Sequence, residues 1–127
     1  MGITPVKELV DRAKAEITSL STQEAQDMAA AGKAMLVDIR DPRELRRDGR
    51  IDGAFHAPRG MLEFWVDPQS PYFKEALATK KTLVLFCASA WRSALSAKAL
   101  KDMGMENVAE MEGGFSTWKK EGRPVEI

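Results

Sequence analysis

The sequence predicts an α/β fold with a central, mainly parallel five-stranded sheet and helices on both faces. Two observations lead there. Short, nearly continuous apolar runs such as "AMLVDI" (34–39) and "TLVLF" (82–86) read as strands buried on both sides. Stretches of helical pattern with capping residues separate them, and strands alternating with helices build a parallel sheet covered on both faces. No internal repeat, low-complexity tract or linker interrupts the alternation.

Taken in order, Pro5 opens a first helix over Pro5 to Ala15, with proline in the first turn. "ITSLS" is a short strand. "STQEAQDMAAAGK" is a capped helix: Ser21 or Thr22 can cap it, Glu24 suits a capping box with Ser21, and Gly32 follows its end. After "AMLVDI", "DPRELRRDG" is a charged helix started by Pro42 and stopped by Gly49. "DGAFHAP" is a short strand after an Asp-Gly turn, ended by Pro58. A long connection, "RGMLEFWVDPQSPYFKEALATKK", holds four of the nine aromatics, Phe64, Trp65, Tyr72 and Phe73. "TLVLF" is followed by a helix, "SALSAKALKDMG", ending at Gly104. Leu95, Ala99, Leu100 and Met103 share one of its faces, and Lys98 and Lys101 share the other. "NVAEM" is the last strand, "GGFSTWKKEG" a closing helix and "RPVEI" a tail.

Composition excludes several functions. The 127 residues suffice for one sizeable core in one domain. Nineteen basic residues balance nineteen acidic ones, which argues against a nucleic-acid or anionic-membrane surface. One cysteine and one histidine make neither an internal disulfide nor a zinc-ligand cluster. No apolar run approaches a membrane span, and the amphipathic N-terminus lacks the apolar centre of a signal peptide. These features predict a cytoplasmic protein, in a reducing compartment where a free thiol survives.

That thiol is Cys87, at the end of "TLVLF", and ligands of open parallel sheets bind beyond the carboxyl ends of strands. The loop "ASAW" follows it, then "RS" at the start of a helix. A short loop entering a helix aims backbone N–H groups at one point and, with the helix dipole, favours an anion and thiolate over thiol. Arg92 adds a fixed positive charge. The competing reading is inert filler, since cysteine is among the most buried residue types.

"CASAWRS" resembles the active-site loop of rhodanese-like sulfurtransferases, in which a cysteine opens a six-residue loop closing on arginine or a similar residue before a helix. "LVDIRDPREL" resembles the Asp-x-Arg strand end of that family. "GRIDGAFHAPRG" resembles its Gly-His-Ile-Pro-Gly-Ala segment, and "GGFSTWKKEGRPV" its closing Gly-Gly-Phe/Trp motif. The four segments occur in family order between Ser19 and Val125. The resemblance implies a rhodanese-like domain over 19–127, with 1–18 as an N-terminal helical extension. Two departures stand out. Ala90 occupies a position where many family loops have glycine, and alanine is strained there if φ is positive. Arg50 and Asp52 stand where histidine and proline are common.

The resemblance implies a double displacement. The Cys87 thiolate attacks the outer sulfur of a small anionic donor such as thiosulfate, sulfite leaves, and Cys87 carries a persulfide. Cyanide, a thiol or a protein acceptor then removes the sulfur. The N–H groups of Ala88, Ser89, Ala90, Trp91, Arg92 and Ser93 would hold the persulfide, and Arg92 would attract the donor. No metal or organic cofactor is required. Three alternatives remain: a persulfide carrier fed by a protein partner, a catalytically silent binding module, and a phosphatase or arsenate reductase. The last typically needs five residues between cysteine and arginine, and here four intervene.

Among other features, Asp38 and Arg40 read as an ion-paired strand end, with Glu44 one candidate partner. Arg43, Arg46, Arg47 and Arg50 read as a solvated face interleaved with acids. His56 reads as structural, as do Phe115, Trp118, Gly113 and Gly114. Trp91, inside a short loop, reads as a pocket wall or docking residue, and Phe64 and Trp65 as core.

Overall fold

The computed structural model describes residues 2–127. Its five strands form one sheet, all parallel, in the order β1-β5-β4-β2-β3. They are β1 (Ser19–Leu20), β2 (Ala34–Asp38), β3 (Phe55–His56), β4 (Thr82–Phe86) and β5 (Val108–Met111). The helices are α1 (Val6–Glu16), α2 (Thr22–Ala30), α3 (Pro42–Asp48), α4 (Leu62–Val66), α5 (Trp91–Asp102) and α6 (Gly114–Lys120), with 3₁₀ turns at Arg59–Met61 and Glu75–Leu77. No helix among the described residues is long and apolar enough to cross a membrane.

Local chemistry sets the helix starts. At α2 the Ser21 hydroxyl accepts from the Glu24 amide at 3.0 Å, and the Glu24 carboxylate accepts from the Ser21 amide at 2.9 Å. Asp41 and Glu44 cap α3 in the same reciprocal way. Pro5 stands one residue before α1 rather than within its first turn.

Alternation along β2 and β4 divides the core. Val37, Leu83, Leu85, Cys87, Ala97 and Leu100 pack on one face, and Leu36, Val84, Phe86, Met111, Phe115 and Trp118 on the other. α1 is a third layer: Val10 and Ala13 close over Ala94 of α5.

That third layer corrects the expected face of α5. Ser93, Ala94, Ser96, Ala97 and Leu100 are buried, whereas Leu95 and Ala99 are half-buried and Met103 is exposed. The helix is wedged between the sheet and α1, so its small residues sit deepest and allow close approach. Phe64 is likewise exposed, in an edge-on pair with Tyr72, while Trp65 packs edge-on against Phe55. α4 is a single short helix, and only one side of it faces the core.

Asp38 and Arg40 pair with each other rather than with Glu44. Both carboxylate oxygens of Asp38 accept from the Arg40 guanidinium, at 2.8 to 3.2 Å, and Arg40 also donates to the Gly49 carbonyl. The pair is fully enclosed, with the guanidinium 3.9 Å from the centre of the Phe115 ring. His56 donates from Nε2 to the Arg40 carbonyl at 2.7 Å, a structural role separate from the contacts of the thiol.

A buried charge that loses its partner is costly, so Asp38→Asn is expected to lower stability by about 3–5 kcal/mol. Urea unfolding measures it. Replacing both residues, as Asp38→Leu with Arg40→Met, is expected to cost less than Asp38→Asn alone.

Candidate functional site

Cys87 follows the last residue of β4, the strand flanked by β2 and β5. The chain then passes through Ala88, Ser89 and Ala90 and enters α5 at Trp91. The loop is therefore shorter than the sequence suggests, and Trp91 belongs to the first helical turn. Its indole stays out of the core, 43% exposed. Arg92 is half-buried and Ser93 is buried.

The turn works because Ala90 adopts a left-handed conformation, with φ 72°. It is the only non-glycine among the described residues with positive φ. This is the position where family loops commonly have glycine, and alanine accepts about 1–2 kcal/mol of backbone strain to hold it. The result brings the Ala90 amide to 3.1 Å and the Ser93 amide to 3.4 Å from Cys87 Sγ. The amides of Ala88, Ser89, Trp91 and Arg92 donate to no acceptor among the described residues. Two donors thus hold the sulfur, and the neighbouring amides at this helix N-terminus are without an acceptor among the described residues. This arrangement favours negative charge.

The loop is pressed from outside by the turn between β5 and α6. Phe115 and Ser116 donate their amides to the Cys87 and Ala88 carbonyls, at 2.7 and 3.0 Å. Gly114, at φ 64°, lies so close that a Cβ there would stand 2.5 Å from the Cys87 carbonyl oxygen.

Arg92 does not stand free. It makes a two-pronged pair with Glu44 of α3, at 2.8 and 3.0 Å. The pairing holds the Glu44 carboxyl below its usual range and pushes the Arg92 guanidinium up. Cys87 is a smaller contributor to the rise at Arg92. Glu44 therefore caps α3 and anchors the loop's arginine at once. Sequence reasoning misses this because the partners are 48 residues apart.

A second group that sequence reasoning misses is Glu110 on β5. It is fully buried and accepts from the Ser93 hydroxyl at 3.2 Å, while the Cys87 thiol faces that same hydroxyl at 3.6 Å. Burial pushes the Glu110 carboxyl above its ordinary value of 4.5. The signal is present in "NVAEM", where an acid interrupts an apolar strand.

Cys87 itself is 1% exposed. Beside the loop opens a cavity of about 410 Å³, lined by Arg40, Asp48, Ala88, Phe115, Ser116, Lys119 and Lys120.

The rhodanese-like domain model matches residues 21–121. The chain belongs to the rhodanese-like family. α1 lies ahead of the matched segment. A structure of a Rhodopseudomonas palustris protein of unknown function, described as a possible tyrosine phosphatase, is 46% identical over 99% of both chains, with a TM-score of 0.91. A polysulfide-sulfur transferase homodimer from Wolinella succinogenes is 32% identical, covering 94% of this chain and 85% of that one, with a TM-score of 0.70. An uncharacterized Synechocystis protein is 30% identical over 84% of this rhodanese-like chain, which spans only 55% of that relative's length.

Two outcomes follow from the geometry. Gly114→Ala puts a methyl against two fixed carbonyls at positive φ, and is expected to cost more than about 2 kcal/mol in urea unfolding and to shift the Cys87 loop. The second concerns pH. An acid raised on folding contributes stability that is complete below its unfolded value and lost as pH rises to the folded one. The stability of the wild type is therefore expected to fall as pH rises above 4.5 through the raised Glu110 value. Glu110→Gln is expected to flatten that part of the curve, measured by urea unfolding across pH.

Proposed function

We propose that the protein is a sulfurtransferase that carries sulfane sulfur as a persulfide on Cys87. The observation that supports this best is the ring of backbone donors. Ala90 and Ser93 hold Sγ, and the open amides of Ala88, Ser89, Trp91 and Arg92 are free to receive a second, outer sulfur bearing negative charge. A thiolate attacks the outer sulfur of thiosulfate, the sulfur–sulfur bond breaks, and sulfite leaves with the bonding pair. A thiol, cyanide or a protein acceptor then takes the outer sulfur and restores the thiolate. The Wolinella neighbour, a polysulfide-sulfur transferase, supports the same class of chemistry.

Attraction of an anionic donor falls on more than Arg92, whose charge is answered by Glu44. Lys119 and Lys120 line the cavity beside Ala88 and supply further positive charge, while Asp48, the acid that also lines it, is paired with Arg47. Lys119 is partly engaged with the Asp48 carbonyl, at 2.9 Å, whereas Lys120 has no such partner among the described residues.

A second reading, phosphate-ester hydrolysis, is favoured by the description of the Rhodopseudomonas neighbour. The small loop speaks against it. Three residues span the gap from Cys87 to α5, and Arg92 is drawn toward Glu44 rather than left to grip an oxyanion.

The deciding experiment is the intact mass after thiosulfate treatment and desalting. A gain of one sulfur atom, removed by cyanide and absent in Cys87→Ser, is the expected result. No gain, with p-nitrophenyl phosphate hydrolysed instead, would replace this function with the phosphatase. No gain and no hydrolysis would leave a partner-fed carrier or a silent module. Lys120→Ala is expected to raise the KM for thiosulfate about threefold to tenfold at low salt, with the difference shrinking as salt is added.

A further inference from the structure

Behind the sulfur runs a chain of three buried groups. Cys87 Sγ lies 3.6 Å from Ser93 Oγ, and Ser93 Oγ lies 3.2 Å from Glu110 Oε1. All three residues are at most 1% exposed. The second carboxyl oxygen of Glu110, Oε2, has no hydrogen-bond partner among the described residues. Among those residues no arginine or lysine pairs with this carboxyl at salt-bridge distance, although such a partner is the usual condition for burying an acid. Packing does not call for it either, since Val108 and Met111 on the same strand fill the core with apolar groups.

We propose that Glu110 stores the proton of Cys87, taken up through Ser93, so that thiol and carboxyl share one negative charge. The Cys87 S–H bond breaks and its electron pair stays on sulfur. The proton passes to Ser93 Oγ, whose own proton passes to Glu110 Oε1. The hydrogen bonds then reverse direction: the carboxylic acid donates to Ser93 Oγ, and Ser93 donates to the thiolate. A hydroxyl suits this exchange because it donates and accepts at once. No net charge enters the interior, since an existing charge moves from carboxylate to sulfur, where the Ala90 and Ser93 amides await it.

The surroundings agree. Burial raises the carboxyl, as does Glu112 just beyond the same strand, while Ser19 on β1, Lys14 on α1 and Ser93 draw it down. From β4 the register partner is apolar Leu85. On the sulfur side the nearby cation is Arg92. Glu110 acts through Ser93, so it is a positioning residue and not one that touches substrate. The assignment rests on Cys87 being the nucleophile, but its test uses no sulfur donor. Failure of persulfide formation and failure of proton sharing are therefore seen separately.

The test is the pH profile of Cys87 alkylation by iodoacetamide in the wild type and in Glu110→Gln. Two groups that share a charge titrate as a pair, so the wild type is expected to gain reactivity in two steps about one pH unit or more apart. Glu110→Gln is expected to show one step. A measurement on the unmutated protein stands beside it, in case the variant does not fold. The infrared band of the protonated carboxyl and the ultraviolet absorbance of the thiolate are expected to change at the same pH values. A single thiolate step at the same pH in both proteins, or a carboxyl band that titrates without any change in thiolate absorbance, would overturn the proposal.

Discussion

The approach of two backbones holds the candidate site in shape. The glycine turn that starts α6 rests directly on the carbonyls of Cys87 and Ala88, and two amides of α6 bond to them. Those bonds engage the two carbonyls, and the amides of Ala90 and Ser93 reach the sulfur. An Ala90 in a left-handed conformation, otherwise a liability, is kept in place by that clamp and by the start of α5. The donors around the sulfur are therefore preorganised by main-chain geometry, and side-chain motion has little part in it.

Electrostatics is handled in separate compartments. Asp38 and Arg40 pair in the interior and tie β2 to the carbonyl of Gly49, beyond α3, with Nη1 of Arg40 left without a partner among the described residues. Glu44 and Arg92 tie α3 to the first turn of α5, nearer the surface. Among the described residues Glu110 is the fully buried acid without an ion pair, and it is the one in line with the thiol. Positive charge toward the cavity comes from α6, through Lys119 and Lys120. The helices α3, α5 and α6 thus each bring charge to the region around Cys87.

The parts of this architecture that local chemistry decides are legible in the sequence. The helix starts at Ser21 and Pro42 and the five strands depend on neighbours a few residues away, whereas the strain at Ala90 is signalled by the resemblance to family loops with glycine there. The buried face of α5 is not legible, because α1 covers part of it and periodicity alone cannot report a second packing partner. Trp91 reads as loop because the helix begins without a capping side chain, at a left-handed alanine. The pairing of Arg92 with Glu44 is hidden by distance along the chain. Glu110 is visible as an acid in an apolar strand, but only the fold shows that it meets the residue closing the cysteine loop. Lys119 and Lys120 read as an ordinary helix end until the cavity beside Ala88 is seen.

The two outermost strands, β1 and β3, are only two residues long. Sheet margins are where unpaired amides and carbonyls recruit foreign strands and start aggregation. Margins this brief offer almost no template of their own, but β3 covers only Val37 and Asp38 of β2, and β1 only Glu110 and Met111 of β5, so the uncovered start of β2 is where a foreign strand would find an edge.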